Sequence, residues 1–298
     1  MEMNKTTMKD PKVSIIIPVY NEALTIRALV EEIRALYPEF EVIVVDDGSN
    51  DETDAVAMSA GALVHKHPYN MGNGSAIKTG IRAASGDILV FMDGDGQHDP
   101  KEIAPLLMDI PQYDMVVAAR PKGGQASLGR AFGNKLFNSL ASYVAKFSIQ
   151  DLTSGFRAVK AEVARKFLYL LPNGYSYPTT LTLCVLRSGR SVKYFPINAK
   201  KRVVGKSKIK IFKDGVRFFL IIVKICTLFS PFRVFLPISF FTFLMGVGYY
   251  LYVFVVWGRF TNMGVLLFVT SVLIFMMGLI SEQICQMRFE RSEESTRL

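Results

Sequence analysis

Short apolar runs alternate with segments of helical spacing along the first part of the chain. The apolar runs predict five strands, and apolar residues at helical spacing predict helices between them. The predicted strands are Val13–Ile17 (closed by Pro18), Glu41–Val45, Ala62–His65, Ile88–Met92 and Met115–Ala118, and two predicted helices are Glu22–Tyr37 and about Gly74–Ala84. Strands that alternate with helices pair in parallel through right-handed crossovers, so the sequence predicts an α/β, doubly wound sheet.

The pattern changes after the fifth predicted strand. From about Leu128 to Leu186 the spacing is mostly helical, with interruptions at Asp151–Arg157 and Pro172–Pro178. Val192–Pro196 then predicts a returning strand. These elements complete a globular α/β domain, which we expect to occupy residues 1–198.

Two long uncharged segments follow near the end of the chain. Val234–Trp257 and Phe260–Ser281 each exceed the ~20 residues that a helix needs to cross a membrane. Only Gly258 and Arg259 separate them, and aromatic residues crowd the turn, as at a lipid–water boundary. The sequence therefore predicts two transmembrane helices, about 234–257 and 262–282, within residues 231–287; a hairpin buried in a protein core is the alternative.

A basic segment precedes this hairpin. Residues 199–213 contain seven lysines and arginines and no acid, and apolar residues from Ile209 to Val223 repeat at helical spacing. This pattern predicts that residues 199–230 form a basic juxtamembrane amphipathic segment in the membrane interface. An ordinary surface helix of the domain is the alternative.

The distribution of charge predicts the orientation of the chain in the membrane. Basic residues are dense before the first span, and Arg288 and Arg291 lie in a tail of residues 288–298 after the second. The positive-inside rule then places both ends of the hairpin in the cytoplasm. No apolar core precedes Val13, so the N-terminus does not read as a signal peptide, and we expect the catalytic domain in the cytosol.

Composition agrees with a membrane protein and narrows its partners. Half of the residues are hydrophobic, and the net charge is +9, which suits an anionic membrane face or a phosphorylated substrate. No RNP, zinc-finger or basic-zipper pattern is present, so nucleic acid is not an expected partner. Cys184, Cys226 and Cys285 lie far apart in apolar surroundings and read as buried reduced thiols.

Four acids follow directly on predicted strands. Asp46 and Asp47 come after the second strand, and Asp93 and Asp95 come after the fourth. In open α/β sheets, ligands bind beyond the carboxyl ends of the strands. This placement makes the four acids candidates for a functional site rather than ordinary surface charges.

Asp93-Gly94-Asp95 is the candidate metal site. Two carboxylates on a turn supply hard oxygen ligands for Mg2+ or Mn2+, and Gln97 can add a carbonyl oxygen. A calcium-binding EF-hand loop is excluded, because His98 and Ala104 stand where that loop needs Gly and Glu. The tripeptide alone is a weak signal, and a structural Asp/Gly turn is the alternative. A divalent cation held here can neutralise the charge on a departing diphosphate.

Three motifs occur in order at strand ends and together carry a resemblance. They are Pro18-Val19-Tyr20-Asn21-Glu22, Val45-Asp46-Asp47-Gly48-Ser49 and Asp93-Gly94-Asp95. With them, the chain resembles the family 2 glycosyltransferases, which have the GT-A fold, a Rossmann-like, mostly parallel sheet. The resemblance implies a metal site at Asp93 and Asp95, assisted by Gln97. It implies nucleotide binding by Pro18, Tyr20, Glu22, Asp47, Asn70, Gly72, Lys78 and Asp93.

The second half narrows the resemblance to one branch of that family. The segment from Asp151 to Arg157, the basic stretch from Arg202 to Lys208 and the two spans resemble the polyprenyl-phosphate branch, which includes dolichyl-phosphate mannose synthases and undecaprenyl-phosphate glycosyltransferases. This implies contacts to the lipid phosphate or diphosphate from Arg120, Arg130, Asn134, Ser154, Arg202 and Lys208. The implied catalytic residues are Asp93, Asp95, Arg130, Asp151 and Arg157. A solvated or lipid-facing surface is the alternative for the cations.

The acceptor side lacks an expected group. Relatives that glycosylate a sugar hydroxyl need a carboxylate base on the helix after the acceptor loop, but Asn173–Leu181 contains no acid. A lipid phosphate is already ionised near neutral pH and attacks without deprotonation, so the gap favours a phosphate acceptor. Asp151 is the only nearby carboxylate, and it can either orient the acceptor or serve as a turn residue.

The leading hypothesis is thus inverting transfer of a sugar from a nucleotide-diphosphate sugar to a polyprenyl phosphate at the cytoplasmic membrane face. A processive polysaccharide synthase is disfavoured, because the only tryptophan, Trp257, lies inside the hairpin and two spans make no channel. A non-catalytic scaffold with a decayed transferase domain is disfavoured by the intact acids. The choice between UDP and GDP, the sugar and the lipid stay open, and Gly246 and Gly248 are compatible with a homo-oligomer.

Overall fold

The computed structural model of the chain describes residues 11–119, 139, 142, 147–174, 176–197, 227, 230–259 and 261–294. Contacts between Cα atoms divide the chain into two units. Among the described residues, the first unit contains an α/β domain that ends at Ile197, and the second contains two long helices that begin at Pro231.

The described strands of the first unit form one mixed sheet. Its order is β3-β2-β1-β4-β6-β5-β7, and every neighbouring pair is parallel except the two that involve β6. The strands are β1 (Val13–Val19), β2 (Glu41–Asp46), β3 (Leu63–Lys66), β4 (Ile88–Phe91), β5 (Met115–Ala119), β6 (Arg157–Lys160) and β7 (Val192–Pro196). The predicted α/β, mostly parallel sheet is confirmed.

Helices connect these strands on both sides of the sheet. The described helices of this unit are α1 (Ala23–Leu36), α2 (Thr53–Ser59), α3 (Asn73–Ala83), α4 (Ile103–Met108), α5 (Ala161–Lys166) and α6 (Tyr177–Arg187), with 3-10 turns at Pro100–Glu102 and Leu168–Leu170. β1, β2 and β4 are buried along almost their whole length, because helices cover both faces of the sheet. The buried strands hold the loops at their carboxyl ends in fixed positions.

The first strand extends beyond its predicted end. We expected Pro18 to close β1, but the strand continues to Val19. In a parallel strand, the backbone N–H and C=O groups of consecutive residues point alternately toward the two neighbouring strands. Ile16 points toward β4, because its carbonyl accepts a hydrogen bond of 3.1 Å from the amide of Met92. The nitrogen of Pro18 faces the same side, beyond the end of β4 at Phe91, where the strand pairing has already ended.

One strand, β6, has no counterpart among the predicted strands. The mostly helical segment predicted from Leu128 to Leu186 contains β6, which lies antiparallel between β4 and β5. The four residues of β6 start with a charged Arg157 and run directly into α5, so they have no recognisable strand pattern. β6 is thus a strand that was not predicted, and its two antiparallel pairings are the exception within the mostly parallel sheet.

The second unit is a pair of apolar helices, α7 (Pro231–Trp257) and α8 (Asn262–Glu294). Both are long and apolar enough to cross a membrane by length and composition. Gly258 ends α7 in the left-handed conformation at φ 58°, which allows the reversal into α8. Ser239 and Ser271 join the helices: each hydroxyl donates to the other residue's carbonyl, at 2.9 and 3.1 Å.

Close packing and a carboxylate also join the two helices. A Cβ atom placed on Gly278 would lie 2.8 Å from Cβ of Phe235, so a larger residue at 278 would separate them. Glu282 accepts a hydrogen bond of 3.3 Å from the amide of Phe232, in the first turn of α7. A carboxylate at a helix N-terminus pairs with amides that have no partner within the helix. The two helices thus form a packed hairpin.

Candidate active site

The loops after β1, β2 and β4 are bonded to one another at one edge of the sheet. The amide of Asn21, after β1, donates to Ser49 Oγ at 2.9 Å, and Asn21 Oδ1 accepts from the amide of Asn50 at 2.9 Å. The hydroxyl of Thr25 on α1 contacts the carbonyl of Gly94 at 3.0 Å and the carboxylate of Glu22 at 3.2 Å. The three motifs predicted from the sequence therefore lie together.

Asp93 and Asp95 are accessible acids at this edge. Their turn follows β4, and a Cβ atom on Gly94 would lie 2.5 Å from Val19 Cγ1, so the turn lies tightly against β1. The side chain of Asp93 is 37% exposed, and Asp95 is half-buried. The amide of Gln97 donates to Asp95 Oδ1 at 3.2 Å, which fixes the orientation of that carboxylate.

The loop before β6 forms the other wall of the carboxylate site. A Cβ atom on Gly155 would lie 2.7 Å from Asp93 Oδ2, so only glycine fits this close approach. Buried His98 has its Nε2 3.9 Å from the same oxygen, and its ring packs on Phe156 with centroids 4.9 Å apart. Sequence reasoning assigned no role to Gly155 or His98, because their approach to Asp93 exists only in the folded chain.

Asp46 and Asp47, in contrast, are internal. Asp46 is fully buried, and its Oδ1 accepts hydrogen bonds from the amide and hydroxyl of Ser49. Asp47 is 3% exposed, and its carboxylate accepts from the amides of Met71 at 2.9 Å and Gly72 at 2.8 Å. The two acids after β2 and the two acids after β4 therefore differ in burial. Asp46 and Asp47 are buried and hold loops in place, whereas Asp93 and Asp95 stay accessible.

Asp47 organises the loop of residues 67–72. Its Oδ1 lies 2.9 Å from Nδ1 of His67, whose Nε2 lies 2.9 Å from Thr79 Oγ1 on α3. A Cβ atom on Gly48, at φ 74°, would lie 2.5 Å from the backbone of Tyr69, so the loop passes directly over the Asp46-Asp47-Gly48-Ser49 motif. Exposed residues therefore lie on a rigid support beside the acids: Tyr20 at the end of β1, and Tyr69, Asn70 and Met71 in the loop.

The start of α3, at Gly72-Asn73-Gly74, lies against another part of the chain. Its N-terminal amides are covered by the segment of residues 171–174: the amide of Ser75 donates to the carbonyl of Asn173 at 3.1 Å. Cβ atoms on Gly72 or Gly74 would collide with backbone oxygens of that segment. A helix N-terminus binds an anion only where its amides are accessible.

Lys78 on α3 also contacts this segment. Its ammonium donates to the carbonyl of Leu171 at 3.3 Å and to Asn173 Oδ1. Burial, together with the charge of Arg82, lowers the pKa of Lys78. The nucleotide-binding role implied for Lys78 thus stays a prediction, and its described contacts are with the segment before α6.

Asp151 and Ser154 form a turn before β6. Asp151 Oδ1 accepts from the amide and hydroxyl of Thr153, both at 3.0 Å, and from the amide of Ser154 at 3.1 Å. Both Asp151 and Ser154 are buried. Of the two roles considered for Asp151, these contacts are those of a turn residue, and a direct contact of Ser154 with phosphate stays a prediction.

Arg157 lies beneath the carboxylate site and is fully buried. Its guanidinium donates to the carbonyls of Ser154 and Pro178 and to Thr182 Oγ1, so it ties the turn before β6 to α6. Burial lowers the pKa of Arg157, but an arginine stays protonated in proteins. These contacts support a positioning role; the predicted catalytic role, which requires contact with substrate, stays a prediction.

Some predicted site residues fall outside the described part of the chain. These are Arg120, Arg130, Asn134, Arg202 and Lys208, and almost all of the amphipathic segment predicted at residues 199–230 lies outside it too. Among the described residues, no three carboxylate, histidine or cysteine side chains form a cluster of the kind that holds a metal. The metal ligands predicted from the sequence, the oxygens of Asp93, Asp95 and Gln97, stay a prediction.

The described site has two chemical faces. One offers exposed carboxylate oxygens, which suit a hard divalent cation. The other is the segment from residue 171 into α6, which brings no carboxylate toward the first face, because residues 171–187 contain none. The described site thus offers oxygen ligands that suit a cation on one face, and residues 171–187 on the other face supply no carboxylate that could act as a general base.

Comparisons with known proteins identify both parts of the chain. Residues 14–168, just over half of the 298 residues, match the family described as Glycosyl transferase family 2. Residues 230–287 match the GtrB C-terminal hairpin, which agrees with the helices α7 and α8 and indicates association with a membrane.

Over a little more than two hundred residues, the chain is similar to curated proteins. The chain is 29% identical over 213 residues to an undecaprenyl-phosphate mannosyltransferase of Micrococcus luteus, covering 66% of this chain and 87% of that protein. It is 29% identical over 211 residues to the polyprenol monophosphomannose synthase of Mycolicibacterium smegmatis, covering 65% of this chain and 80% of that protein.

A solved structure shares the fold. The glucosyl-3-phosphoglycerate synthase of Mycobacterium tuberculosis, crystallised with Mn2+, uridine diphosphate and glucosyl-3-phosphoglycerate, aligns with a TM-score of 0.59 and 21% identity, covering 73% of this chain and 79% of that one. At that identity the likeness shows the fold alone. With the family match, the strand-end motifs and the sheet in agreement, the chain belongs to glycosyl transferase family 2 and is a glycosyltransferase.

Proposed function

We propose that this glycosyltransferase moves a sugar from a nucleotide-diphosphate sugar to a polyprenyl phosphate, with inversion at the anomeric carbon and with a divalent cation. The observation that carries the proposal is the contrast between two sides of one site. Exposed carboxylate oxygens of Asp93 face the donor side, and the acceptor segment from residue 171 into α6 contains no acid. One relative is named an undecaprenyl-phosphate mannosyltransferase and the other a polyprenol monophosphomannose synthase, and these names support a lipid phosphate as acceptor.

Asp93 and Asp95, with the carbonyl oxygen of Gln97, are the proposed metal ligands. They fit a divalent cation because they are hard oxygen donors that stay accessible at a strand end, whereas Asp46 and Asp47 are buried. Mg2+ or Mn2+ bound there would neutralise negative charge on the departing nucleoside diphosphate. Gly155 and Val19 pack against the turn that carries both acids and fix its position.

The nucleotide is proposed to lie along the loops after β1 and β2. Glu22 and Tyr20 belong to the first loop, and Asp47 fixes the loop of residues 67–72, including Asn70 and Gly72. Three of the roughly four lone-pair positions of the Asp47 carboxylate are already used by His67, Met71 and Gly72, which leaves Oδ2 able to accept one more donor. We propose that Asp47 positions this loop and contacts the nucleotide through that remaining position.

The acceptor reacts without a base in this proposal. An oxygen of the lipid phosphate forms the new bond to the anomeric carbon, and the bond to the diphosphate breaks with its electron pair leaving on the nucleoside diphosphate. No proton needs to move, because a phosphate monoester is ionised near neutral pH. This agrees with Asp151, whose Oδ1 holds the turn before β6. Arg157 positions this turn against α6, and contacts from Arg120, Arg130, Asn134, Arg202 and Lys208 to the phosphates stay part of the proposal.

The reaction is proposed to take place at the cytoplasmic face of a membrane. The hairpin of α7 and α8 supports anchoring, and the basic residues on both sides of it favour cytoplasmic ends by the positive-inside rule. A polyprenyl phosphate has its headgroup at the same interface, beside the predicted basic segment at residues 199–230.

A panel of donors and acceptors tests this function. The detergent-solubilised full chain is incubated with radiolabelled UDP- and GDP-sugars and with undecaprenyl phosphate, dolichyl phosphate or undecaprenol. We expect label in the lipid fraction with a polyprenyl phosphate and none with undecaprenol, which has the same chain and a hydroxyl in place of the phosphate. Transfer to undecaprenol, or polymer as the product, would overturn the phosphate acceptor. The anomeric configuration of the product, measured by NMR, tests inversion.

A further inference from the structure

The segment of residues 171–174 covers the first turn of α3. The carbonyl of Asn173 accepts from the amide of Ser75 at 3.1 Å, in competition with an intrahelical bond of Ser75 to Gly72. Gly72 and Gly74 lie so close to backbone oxygens of this segment that neither position has room for a side chain. The start of α3 is therefore built to receive a segment that follows it by about a hundred residues.

Lys78 fastens the same segment one turn further along α3. Its ammonium donates to the carbonyl of Leu171 at 3.3 Å and to the side-chain oxygen of Asn173. Burial lowers the pKa of Lys78, as expected for an ammonium that has given up part of its hydration. A partly buried cation is stable only where hydrogen bonds replace water, and here residues 171 and 173 supply the acceptors.

The two sides of this contact lead to different halves of the site. On one side, α3 follows the loop of residues 67–72, which Asp47 holds on the proposed nucleotide side. On the other, residues 171–174 lead into α6, where Thr179 Oγ1 donates to the carbonyl of Leu152 at 3.3 Å and Pro178 accepts from Arg157 at 2.9 Å. The loop that contains Leu152 continues to Gly155, which contacts Asp93.

We infer that Lys78 and Asn173 form a positioning pair, which sets the acceptor-side segment of residues 171–174 against the nucleotide-side loop. The inference rests on the proposed function for its assignment of the two sides. Lys78 acts through Asn173 and does not touch the nucleotide, in contrast to the role that the family resemblance implies for it. The pair contributes to the placement of the acceptor relative to the bound donor, so its loss affects acceptor use more than donor affinity.

A double-mutant cycle on the full chain in detergent tests the pair. The variants are Lys78→Met, Asn173→Ala and the double variant, with Asn173→Asp as the conservative change that keeps a side-chain oxygen for Lys78. We expect each single variant to lower kcat/KM for polyprenyl phosphate roughly tenfold, as for the loss of one charge-assisted hydrogen bond. The kcat/KM of the double variant should be no lower than that of the less active single variant. Asn173→Asp should retain near wild-type activity.

Nucleotide binding separates a positioning role from direct contact. The Kd for UDP and for GDP, each with MnCl2, is measured by calorimetry, and we expect it to change by less than about twofold in all variants. Arg82→Met is the matched control, because Arg82 is an exposed cation one turn along the same helix. It should leave both kcat/KM and Kd near their wild-type values.

Three outcomes would overturn the inference. One is a tenfold loss of nucleotide affinity in Lys78→Met with none in Asn173→Ala, which would make Lys78 a nucleotide ligand. Another is additive losses in the double variant, and the third is an effect of Arg82→Met as large as that of Lys78→Met. If the wild type transfers no sugar to polyprenyl phosphate, the proposed function fails. The pair is then judged by hydrogen exchange: both single variants should speed exchange in peptides containing residues 171–174 and 72–76, and unchanged exchange would refute the pairing.

Discussion

Gly155 lies directly against the carboxylate of Asp93: a Cβ atom on Gly155 would stand 2.7 Å from Oδ2 and 3.0 Å from Oδ1. Gly155 belongs to the turn before β6, and Asp93 belongs to the turn after β4, so the contact joins two loops from neighbouring strands. The position of the candidate metal ligand therefore depends on a residue sixty-two positions away that has no side chain.

Gly155→Ala should displace the Asp93 carboxylate without unfolding the domain. We expect kcat/KM to fall by roughly a hundredfold, because a shift of about 1 Å in a reacting group costs this much, and we expect a higher metal concentration for half-maximal activity. Activity assays over a titration of MnCl2 measure both. Gly264→Ala is the control, since a Cβ there meets only ordinary contacts of 3.8 Å or more. Wild-type metal dependence in Gly155→Ala would contradict the account.

Asp47→Asn should loosen the loop of residues 67–72. The amide group of asparagine cannot accept at both positions that now receive His67, Met71 and Gly72, so a buried donor loses its partner. We expect the free energy of unfolding to fall by about 1–3 kcal/mol and nucleotide affinity to fall roughly tenfold. Calorimetry measures the affinity, and hydrogen exchange of residues 67–72 measures the loop.

Asp54→Asn is the matched control for Asp47→Asn. Asp54 pairs with the half-exposed Lys66 at 2.7 Å, and such surface pairs contribute about 0–1 kcal/mol. It should leave nucleotide affinity unchanged. A loss of affinity in Asp47→Asn with unchanged exchange in residues 67–72 would show that Asp47 acts by contact alone and not by holding the loop.

Asp114 should make the α/β domain sensitive to acid. Burial by itself raises the pKa of Asp114, but hydrogen bonds from the amide and hydroxyl of Ser191 and the charge of Lys160 outweigh it and hold the pKa below its ordinary value. A lowered pKa contributes stability above the unfolded value of about 3.9, and this stability is lost as the pH falls through the folded pKa. The thermal midpoint of Asp114→Asn should therefore fall below that of wild type at neutral pH, and the difference should shrink as the pH falls below the unfolded value of about 3.9. A constant difference at all pH values would contradict this.

The hairpin should depend on Gly278 and not on Gly248. A Cβ atom on Gly278 would lie 2.8 Å from Phe235 Cβ, whereas a Cβ on Gly248 would meet nothing within 4 Å. Both changes to alanine raise helix propensity equally, so the difference between them reports packing. We expect Gly278→Ala to be about 1–3 kcal/mol less stable than Gly248→Ala in detergent unfolding followed by circular dichroism. Equal stabilities would show that the two helices pack differently.

Much of the fold follows from local pattern, and the exception has a physical cause. Buried parallel strands such as β2 are continuous apolar runs, and helices such as α1 have a clear apolar stripe, so both were predictable. β6 was not predictable, because its four residues include a buried arginine that is stabilised by Ser154, Pro178 and Thr182. Ser154 precedes the arginine by three residues, but Pro178 and Thr182 lie on α6, 21 and 25 positions along the chain, so no local window reveals the whole set.

The candidate site, too, was predictable only in part. The acids at strand ends could be identified from the sequence, since parallel strands bring their carboxyl ends to one edge. Their different roles could not: Asp47 is buried by its own loop, and Asp93 is exposed beside Gly155. Likewise, the contact between Lys78 and Asn173 joins residues ninety-five positions apart, and only the fold brings them together.

The central claim is that Asp93 and Asp95 support transfer of sugar to a lipid phosphate. The most direct test measures radiolabel that moves from a nucleotide sugar into polyprenyl phosphate, with wild type, Asp95→Asn and the control Asp109→Asn, whose carboxylate pairs with Lys193 at 2.8 Å. Wild type and Asp109→Asn should label the lipid with MgCl2 or MnCl2 and lose this activity in EDTA, and Asp95→Asn should be slower by about a hundredfold or more. Equal labelling by Asp95→Asn, or labelling that EDTA leaves unchanged, would contradict the account.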